Sequence, residues 1–316
     1  HSSGIGEAIV RHLALRGAKV YFTTRSEAKA QKTQQQIRVT SPEIKRDKIN
    51  SLVLDLTDLK SITDVANDLG WREKKVDILI HNAAITPPDF DPVGPGWEPH
   101  MTISFIGPFV FINRLLPLLQ NALLYDSADV RIVSLSSTAQ TSMLPADFKF
   151  EFDLPSGLSN PVANYPWHWR YLGRFLFSFD MIRFAVSKAA TVILAEELQR
   201  RLDEQNIPIL SMAVHPGETA TEAVLRNIPS LLGPVARLAF HEPDQGAATP
   251  LFAATAKEVR QDSERYKGKF ILPGVIIGVS NPVTKDERQV KGLWEHTTDA
   301  VDKELAARHL PPLGMW

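Results

Sequence analysis

The first residues of the chain form a glycine-containing turn that could bind a phosphate group. Ser3, Gly4, Ile5 and Gly6 stand directly before a helix-forming stretch at residues 7–17. Glycine lets the backbone approach a pyrophosphate, and the positive end of the helix dipole then faces the anion. Turns with two glycines also open helices that bind nothing, so this motif alone leaves both interpretations open.

The elements that must position this turn follow from the alternation of short β-branched runs with longer helical stretches. Runs that are apolar on both faces and separated by helices predict a parallel sheet covered on both sides, and right-handed crossovers make it doubly wound. The expected fold is therefore one α/β domain of the Rossmann type over residues 1–316, with no linker inside it. Strands are predicted at residues 19–24, 51–55, 76–80, 130–135 and 209–214, and later helices at about 25–41, 60–69, 104–123 and 184–203.

Six ordered motifs, and two further ones near the C-terminus, resemble those of the short-chain dehydrogenase/reductase family, over nearly the full chain. The turn at residues 3–6 is similar to the end of the family's glycine fingerprint, and Gln245-Gly246-Ala247 and Gly268-Lys269-Phe270 are similar to the retinol-dehydrogenase-like branch. The other matching motifs are Asp55-Leu56, Asn82-Ala83-Ala84, Ser136-Ser137, Ser187-Lys188-Ala189 and His215-Pro216-Gly217 with Thr221. The resemblance implies a nicotinamide-dependent oxidoreductase.

Four catalytic positions are implied by this resemblance, and two of them are changed. Family members transfer a hydride at the nicotinamide, with a tyrosine as proton donor, a lysine that lowers the tyrosine pKa, a serine on the substrate oxygen and an asparagine that anchors a relay water. The serine is Ser137 and the lysine is Lys188. Phe184 stands at the tyrosine position and Ser104 at the asparagine position. Phenylalanine has no ionisable hydroxyl and cannot transfer a proton.

Three explanations for Phe184 stay open at the level of sequence. The natural pocket has turned to a non-redox reaction or to binding alone; the tyrosine has been replaced deliberately to trap a complex; or Tyr165 or Tyr171 reaches the site from elsewhere. Ser104 favours the first, because a second catalytic position has changed as well. The predicted function is NADP(H)-dependent oxidation or reduction of an alcohol or carbonyl on a bulky apolar molecule. The alternatives are a non-redox isomerase or cyclase and a cofactor-binding pseudo-enzyme.

The choice of NADP(H) over NAD(H) depends on Arg25, which closes a predicted strand. An acidic residue there would accept hydrogen bonds from the adenosine ribose and repel a 2′-phosphate, whereas the planar arginine cation suits a phosphate. A solvated arginine at a strand end is the alternative. By resemblance, the further cofactor contacts are Ser3, Gly4, Ile5, Gly6, Asp55, Leu56, Asn82, Ala83, Ala84, Lys188, Pro216, Gly217, Thr219 and Thr221.

A long aromatic-rich insertion at residues 142–183 is predicted to form a substrate lid, assisted by residues 219–237. Its aromatic run at 175–179 is interpreted as a substrate wall, with a dimer surface or a membrane-surface patch as alternatives. His168 is interpreted as part of a packed loop rather than as a base. The sequence favours solvated charges over an acidic-substrate grip for Arg170, Arg174 and Arg183.

Composition restricts partners and compartment. The net charge of −1 gives no indication of nucleic-acid binding, and the lack of cysteine removes disulfides and thiolate metal sites. We predict no metal site, no membrane span and a cytoplasmic, reducing location, with a small-molecule substrate as partner and a homo-oligomer allowed. A strand and a Thr-Gly are expected upstream of His1, because the glycine fingerprint begins with them and the first strand of a doubly wound sheet is central.

Overall fold

The strands come in the order that the sequence predicts. A computed structural model describes residues 4–85, 91–145, 147–163, 180–219 and 241–316. Its strands are β1 (Val20–Thr24), β2 (Ile49–Val53), β3 (Ile78–His81), β4 (Arg131–Leu135), β5 (Leu210–Val214), β6 (Phe270–Leu272) and β7 (Ile276–Ile277). Its α-helices are α1 (Ile5–Leu15), α2 (Glu27–Thr40), α3 (Leu59–Arg72), α4 (Pro99–Met101), α5 (Gly107–Ala122), α6 (Ala139–Ser142), α7 (Met181–Glu204), α8 (Pro243–Thr255), α9 (Lys257–Gln261), α10 (Ser263–Tyr266) and α11 (Glu287–Ala307).

The sheet is parallel and doubly wound, which confirms the predicted fold class. β1 pairs with β2, with Val20 opposite Ile49, and β3 to β6 pair in sequence order. The direction in which strands are added therefore reverses between β1 and β3. β7 was not predicted; it runs antiparallel to β6 after a turn at Gly274, whose φ of 76° favours glycine.

Helices cover both faces of the sheet. Along β4, successive buried side chains belong to different cores. Ile132 belongs to the core formed with α3, α5 and α7, whereas Val133 belongs to the core formed with α8, α9 and α10. α1 and α2 pack on Phe22 and Ile49 of the first two strands. Because both faces are covered, the strands are rich in apolar residues, which is why the sequence could predict them.

β1 and β3 face each other across a slot instead of pairing. A cavity of about 580 Å³ lies between them, lined by Phe22 and Thr23 on one side and by Ile78 and Ile80 on the other, with α5 contributing Phe111. The two strands belong to separately hydrogen-bonded sheets in the part of the chain described here. The slot is the place where one further parallel strand would complete the sheet.

The helix predicted at residues 104–123 starts earlier and is interrupted. Glu98 caps α4 by accepting a hydrogen bond from the Met101 backbone N–H at 2.7 Å, and Pro99 occupies the first turn. A π-helical segment, Thr102–Ile106, then separates α4 from α5. Pro108 explains the break, since it has no N–H to donate to the carbonyl four residues earlier.

The described part of the predicted lid is attached to the core. Phe152 is 1% exposed, and its backbone N–H donates to Gln289 Oε1 of α11 at 2.8 Å. Phe148, Phe150 and Phe152 stack in sequence, with ring centroids 4.9 and 5.1 Å apart. Residues 147–163 thus form a packed strap, while the rest of the predicted lid, 146 and 164–179, lies outside the described residues together with most of 219–237. Tyr165, His168, Arg170, Tyr171 and Arg174 lie outside them too.

One helical stretch of the described chain is long and apolar enough to cross a membrane. It covers Pro99–Ala122 and has a mean hydropathy of 1.6 over its most apolar window, 78% of which is buried inside the fold. The prediction that the chain has no membrane span stays a prediction. A mostly buried core helix passes the same test, so the stretch is weak evidence for a span.

Candidate active site

The predicted site residues meet at one edge of the sheet. Arg25 follows β1, Asp55 lies just beyond β2, Asn82 follows β3, Ser137 lies just beyond β4 and Gly217 just beyond β5. Because these strands are parallel, their carboxyl ends lie along the same edge. This is where doubly wound folds bind ligands, next to the point at which the strand order reverses.

The glycine turn is shaped to bring backbone close to a ligand. Gly4 has φ 61° and ψ −134°, a conformation that favours glycine, and α1 begins at the next residue. Behind the turn, Gly246 lets α8 approach closely. A Cβ on Gly246 would lie 2.5 Å from Thr219 Oγ1 and 3.1 Å from Ile5 Cγ1. Ser3 lies outside the described residues.

The other end of the crevice carries the residues assigned to the adenosine half of the cofactor. Arg25 is exposed, and Ser26 beside it caps α2. Asp55 Oδ1 accepts hydrogen bonds from the backbone N–H of Thr57 at 2.9 Å and from its hydroxyl at 2.7 Å. Gly107 brings α5 against this loop, because a Cβ there would lie only 2.5 Å from the Leu56 carbonyl oxygen.

Lys188 is buried on α7, at the centre of the site. Its Nζ donates a hydrogen bond to the Leu135 carbonyl oxygen at 2.8 Å, and the side chain is 3% exposed. Burial lowers the pKa of Lys188 to about 8. The Ser136 hydroxyl donates to the Lys188 carbonyl oxygen at 2.7 Å, which ties α7 to the end of β4.

Phe184 lies one turn before Lys188, on the same face of α7. The Nζ of Lys188 is 5.6 Å from the centroid of the Phe184 ring. Asp180 caps this helix by accepting hydrogen bonds at 3.1 Å from the backbone N–H groups of Ile182 and Arg183. Ser137 is partly buried, and its Oγ accepts a hydrogen bond from the Ala139 N–H at 3.2 Å. The structure thus brings three of the four predicted catalytic positions to adjoining elements.

Ser104, the fourth position, contacts α7 through its backbone carbonyl oxygen. It lies in the π-helical segment, four residues before Pro108, so its carbonyl oxygen receives no helical hydrogen bond from residue 108. The Thr191 hydroxyl, close to both Ser104 O (3.0 Å) and Ser187 O (2.9 Å), satisfies that oxygen. Sequence reasoning missed Thr191; the signal available was a proline four residues after a catalytic position.

The loop assigned to the nicotinamide carboxamide leaves β5 and turns sharply. Gly217 has φ 85°, and its carbonyl oxygen accepts a hydrogen bond from the Thr219 hydroxyl at 3.2 Å. His215 is buried, which lowers its pKa to about 4. Pro216 lies between these residues at the same edge as Asn82, Ala83 and Ala84, whereas Thr221 lies outside the described residues.

A buried charged cluster near the start of α7 corrects one prediction. Arg183 is not a solvated helix charge: its side chain is 16% exposed and lies 3.5 Å from Asp180 and 3.8 Å from Glu98. Glu98 Oε1 is also 2.8 Å from His100 Nδ1, and both side chains are buried. Hydrogen bonds to His100 and Met101 hold the pKa of Glu98 below its usual value although burial acts to raise it. The cluster fixes the helix that carries Phe184 and Lys188.

The chain is similar in sequence and in fold to known proteins. A family model described as short chain dehydrogenase matches residues 1–146. The short chain dehydrogenase/reductase dpchH of Colletotrichum higginsianum is 34% identical over 300 residues, which cover 95% of this chain and 73% of that protein. The protein dpfgH of Gibberella zeae, of the same description, is 33% identical over 300 residues, covering 95% of this chain and 80% of that protein.

Among solved structures, the NADPH-bound carbonyl reductase from chicken fatty liver has the same fold. It superposes with a TM-score of 0.58 at 19% identity, over 88% of this chain and 95% of that one. The sequence similarity, which covers nearly the whole chain, shows the family as well as the fold. This chain belongs to the short-chain dehydrogenase/reductase family of oxidoreductases.

Proposed function

We propose that this chain binds NADP(H) and acts on the carbonyl or alcohol of a bulky apolar small molecule, with its general acid missing at Phe184. The observation that carries the proposal is the placement of buried Lys188, with its Nζ bonded to Leu135 O, one turn from Phe184 at the carboxyl edge of the sheet. An ammonium is retained there although burial disfavours it. A buried ammonium at this position is consistent with a lysine that binds a ligand.

The residues present fit a dinucleotide phosphate. Gly4 holds a conformation that favours glycine at the start of α1, so its backbone can approach a pyrophosphate at the positive end of the helix. Arg25 is exposed beside the turn between β1 and α2, where its guanidinium can pair with a 2′-phosphate. The NADPH-bound neighbour supports the same choice by analogy.

Each catalytic residue has a defined part in this proposal. The nicotinamide, when bound, supplies or accepts the hydride. Lys188 binds the ribose next to it and provides a positive charge, while Ser137 hydrogen-bonds the substrate oxygen. Phe184 contributes an apolar ring and no proton, so proton transfer to the substrate oxygen falls to water. General acid catalysis by a side chain typically contributes ~10²–10⁴-fold, and we expect the chain to lack that factor.

The substrate class is inferred from the surroundings. The aromatic residues of 164–179, which lie outside the described residues, are proposed from their sequence to contact the substrate, and residues 147–163 are attached to α11 through Phe152. Aromatic walls favour a large apolar substrate over a small polar one. The cytoplasmic location and a homo-oligomeric state stay predictions.

A restored proton donor tests the proposal. Phe184→Tyr should raise NADPH-dependent reduction of bulky ketones by ~10²–10⁴-fold over the unmodified chain, measured as NADPH consumption together with product identity. Phe184→Leu is the matched control, because it changes the ring without adding a hydroxyl, and should stay at the unmodified level. No reduction by Phe184→Tyr on any ketone would contradict the redox proposal.

A second candidate is a non-redox isomerase or cyclase that keeps NADP(H) as a bound ligand. The Phe184 ring favours it, since it faces the Lys188 ammonium where the family places a proton donor. This candidate predicts product formation with no change in cofactor absorbance, and a loss of activity on Phe184→Tyr because a hydroxyl would enter an apolar wall.

A further inference from the structure

A buried polar pair on β3 and β4 has no part in the function proposed above. His81 ends β3, and Ser134 is its register partner on β4. Neighbouring parallel strands lie ~4.8 Å apart, so the two side chains are adjacent on one face. Both are buried, and among the described residues neither ring nitrogen of His81 nor the Ser134 hydroxyl makes a hydrogen bond of good geometry, although the Ile103 backbone is close enough to His81 to raise its pKa against the larger effect of burial. Such groups are costly to bury unless something satisfies them.

The pair faces the same side of the sheet as Lys188. Ile132, two residues before Ser134, packs into the core of α5 and α7, and side chains two apart on a strand share a face. Lys188 Nζ is bonded to the carbonyl oxygen of Leu135, the residue directly after Ser134. The ammonium therefore lies within about one residue of His81 and Ser134 along the strands.

An ammonium and a neutral imidazole are complementary. Burial, and then the charge of Lys188, lower the pKa of His81 to about 3. His81 therefore stays neutral at every pH at which Lys188 titrates, and it adds no charge to Lys188. A neutral imidazole offers one acceptor and one donor, whereas the ammonium has three donors. Buried groups of this kind typically share an ordered water.

We propose that His81 and Ser134 form a polar site that hydrates Lys188 through a buried water, which makes His81 a positioning residue for the lysine ammonium. This inference rests on the proposed function in one respect, which is the role that Lys188 has in catalysis. The structural coupling between His81 and Lys188 stands independently of cofactor and substrate.

Burial is the cause that lowers the pKa of Lys188, and no charged group among the described residues contributes to that shift. In the π-helical segment, the Thr102 hydroxyl donates to the Glu98 carbonyl oxygen and the Ser104 carbonyl oxygen accepts from the Thr191 hydroxyl. Just beyond β4, the Ser136 hydroxyl donates to the Lys188 carbonyl oxygen. The charged groups of α4 and of the start of α7, Glu98 and Arg183, lie 3.8 Å from each other towards the helix N-terminus.

Titration of Lys188 in the free protein tests the proposal. The side chain is followed by NMR with ε-¹³C-labelled lysine, its signal being assigned with Lys188→Met. His81→Leu removes the polar partner and should increase the acid dissociation constant of the ammonium about tenfold, since one hydrogen bond to a charged group is lost. His81→Asn keeps a polar side chain and should stay within about twofold of the unmodified protein. An unchanged constant in His81→Leu, or an equal increase in His81→Asn, overturns the proposal.

Two serine variants act as a matched pair. Ser134→Ala should shift the Lys188 titration in the same direction as His81→Leu, by about threefold. Ser211→Ala should leave it unchanged, although Ser211 also has a buried hydroxyl without a partner, because it lies opposite Ile132 and further from the edge. If His81→Leu does not fold, the comparison of Ser134→Ala with Ser211→Ala tests the proposal. Equal shifts of the Lys188 titration in these two variants overturn it. A failure to bind NADPH would count against the proposed function and leave the titration result standing.

Discussion

The Nζ of Lys188 lies 5.6 Å from the centre of the Phe184 ring, one turn away on α7. At this distance the ring face attracts a cation weakly, and it cannot deliver a proton. The lysine retains its buried position and its bond to Leu135 O although its family partner, a tyrosine hydroxyl, is missing. The fold itself therefore holds the ammonium in place. The free energy that its burial takes from folding stability can be measured.

The first prediction concerns Lys188 and pH. Its pKa is lowered from 10.5 to about 8, so the unfolded chain binds this proton more tightly than the folded protein does. Folding stability should therefore rise between about pH 8 and pH 10.5, by about 3 kcal/mol from this residue, and carry the full penalty below pH 8. Lys188→Met should lose this rise in stability and be more stable than the unmodified protein at pH 7, measured by urea unfolding. A parallel pH dependence in both proteins would contradict the assignment.

Cofactor choice is tested at Arg25. We expect the unmodified protein to bind NADPH more tightly than NADH, and Arg25→Ala to lose most of that preference by weakening NADPH alone, because only NADPH carries the 2′-phosphate. A loss of about 1.5–3 kcal/mol, roughly 10- to 150-fold in Kd, is typical of a charged hydrogen bond. Fluorescence titration with both cofactors measures it, and Arg38→Ala, at the far end of α2, is the control. Tighter NADH binding by the unmodified protein would show that the cofactor assignment is wrong.

Sequence reasoning located the parts of the site that depend on local pattern. The strands appear as runs rich in apolar residues because both faces are covered. Lys188 was placed on a helix because its neighbours repeat a family motif. The end of β2 was predicted two residues late, because Asp55 starts a turn by accepting hydrogen bonds from Thr57. Local rules were sufficient for these elements.

Contacts between distant segments were beyond such reasoning. The bond between Thr191 and Ser104 O joins residues that are 87 positions apart, and Pro108 cannot donate to that oxygen because it has no N–H. In sequence, Arg183 looks like a surface charge. In the fold it is mostly covered, because Glu98, which caps another helix, lies beside it. His81 was overlooked because its sequence neighbours do not include Ser134 or Lys188. Only the tertiary structure brings these two residues close to it.

Gly107 is predicted to be required for α5 to approach the loop after β2. A methyl group there would lie 2.5 Å from Leu56 O, a contact with backbone that no rotamer can relieve. Gly107→Ala should therefore lower the free energy of unfolding by about 1–3 kcal/mol, as overpacking does. Gly70→Ala is the matched control, since Gly70 lies within α3 with nothing near its Cβ position. It should stabilise the protein by ~0.5–1 kcal/mol, because alanine favours the helix. Equal effects of the two changes in denaturant unfolding would contradict the prediction.

The slot between β1 and β3 leads to the last prediction. Its walls are strand edges and apolar side chains, among them Phe22, Ile78 and Ile80, around about 580 Å³. A strand edge that faces an apolar space is a place where a further strand can pair. We propose that a parallel, apolar strand from upstream of His1 fills the slot and leads directly into the glycine turn before α1. Protein carrying such a segment should melt at a clearly higher temperature, and its β1 and β3 amides should exchange with solvent more slowly, than protein beginning at His1. An upstream segment of equal length made of glycine and serine is the control, and it should give no protection because it has no side chains to pack. The same melting temperature and exchange in all three proteins would show that the slot is not a strand site.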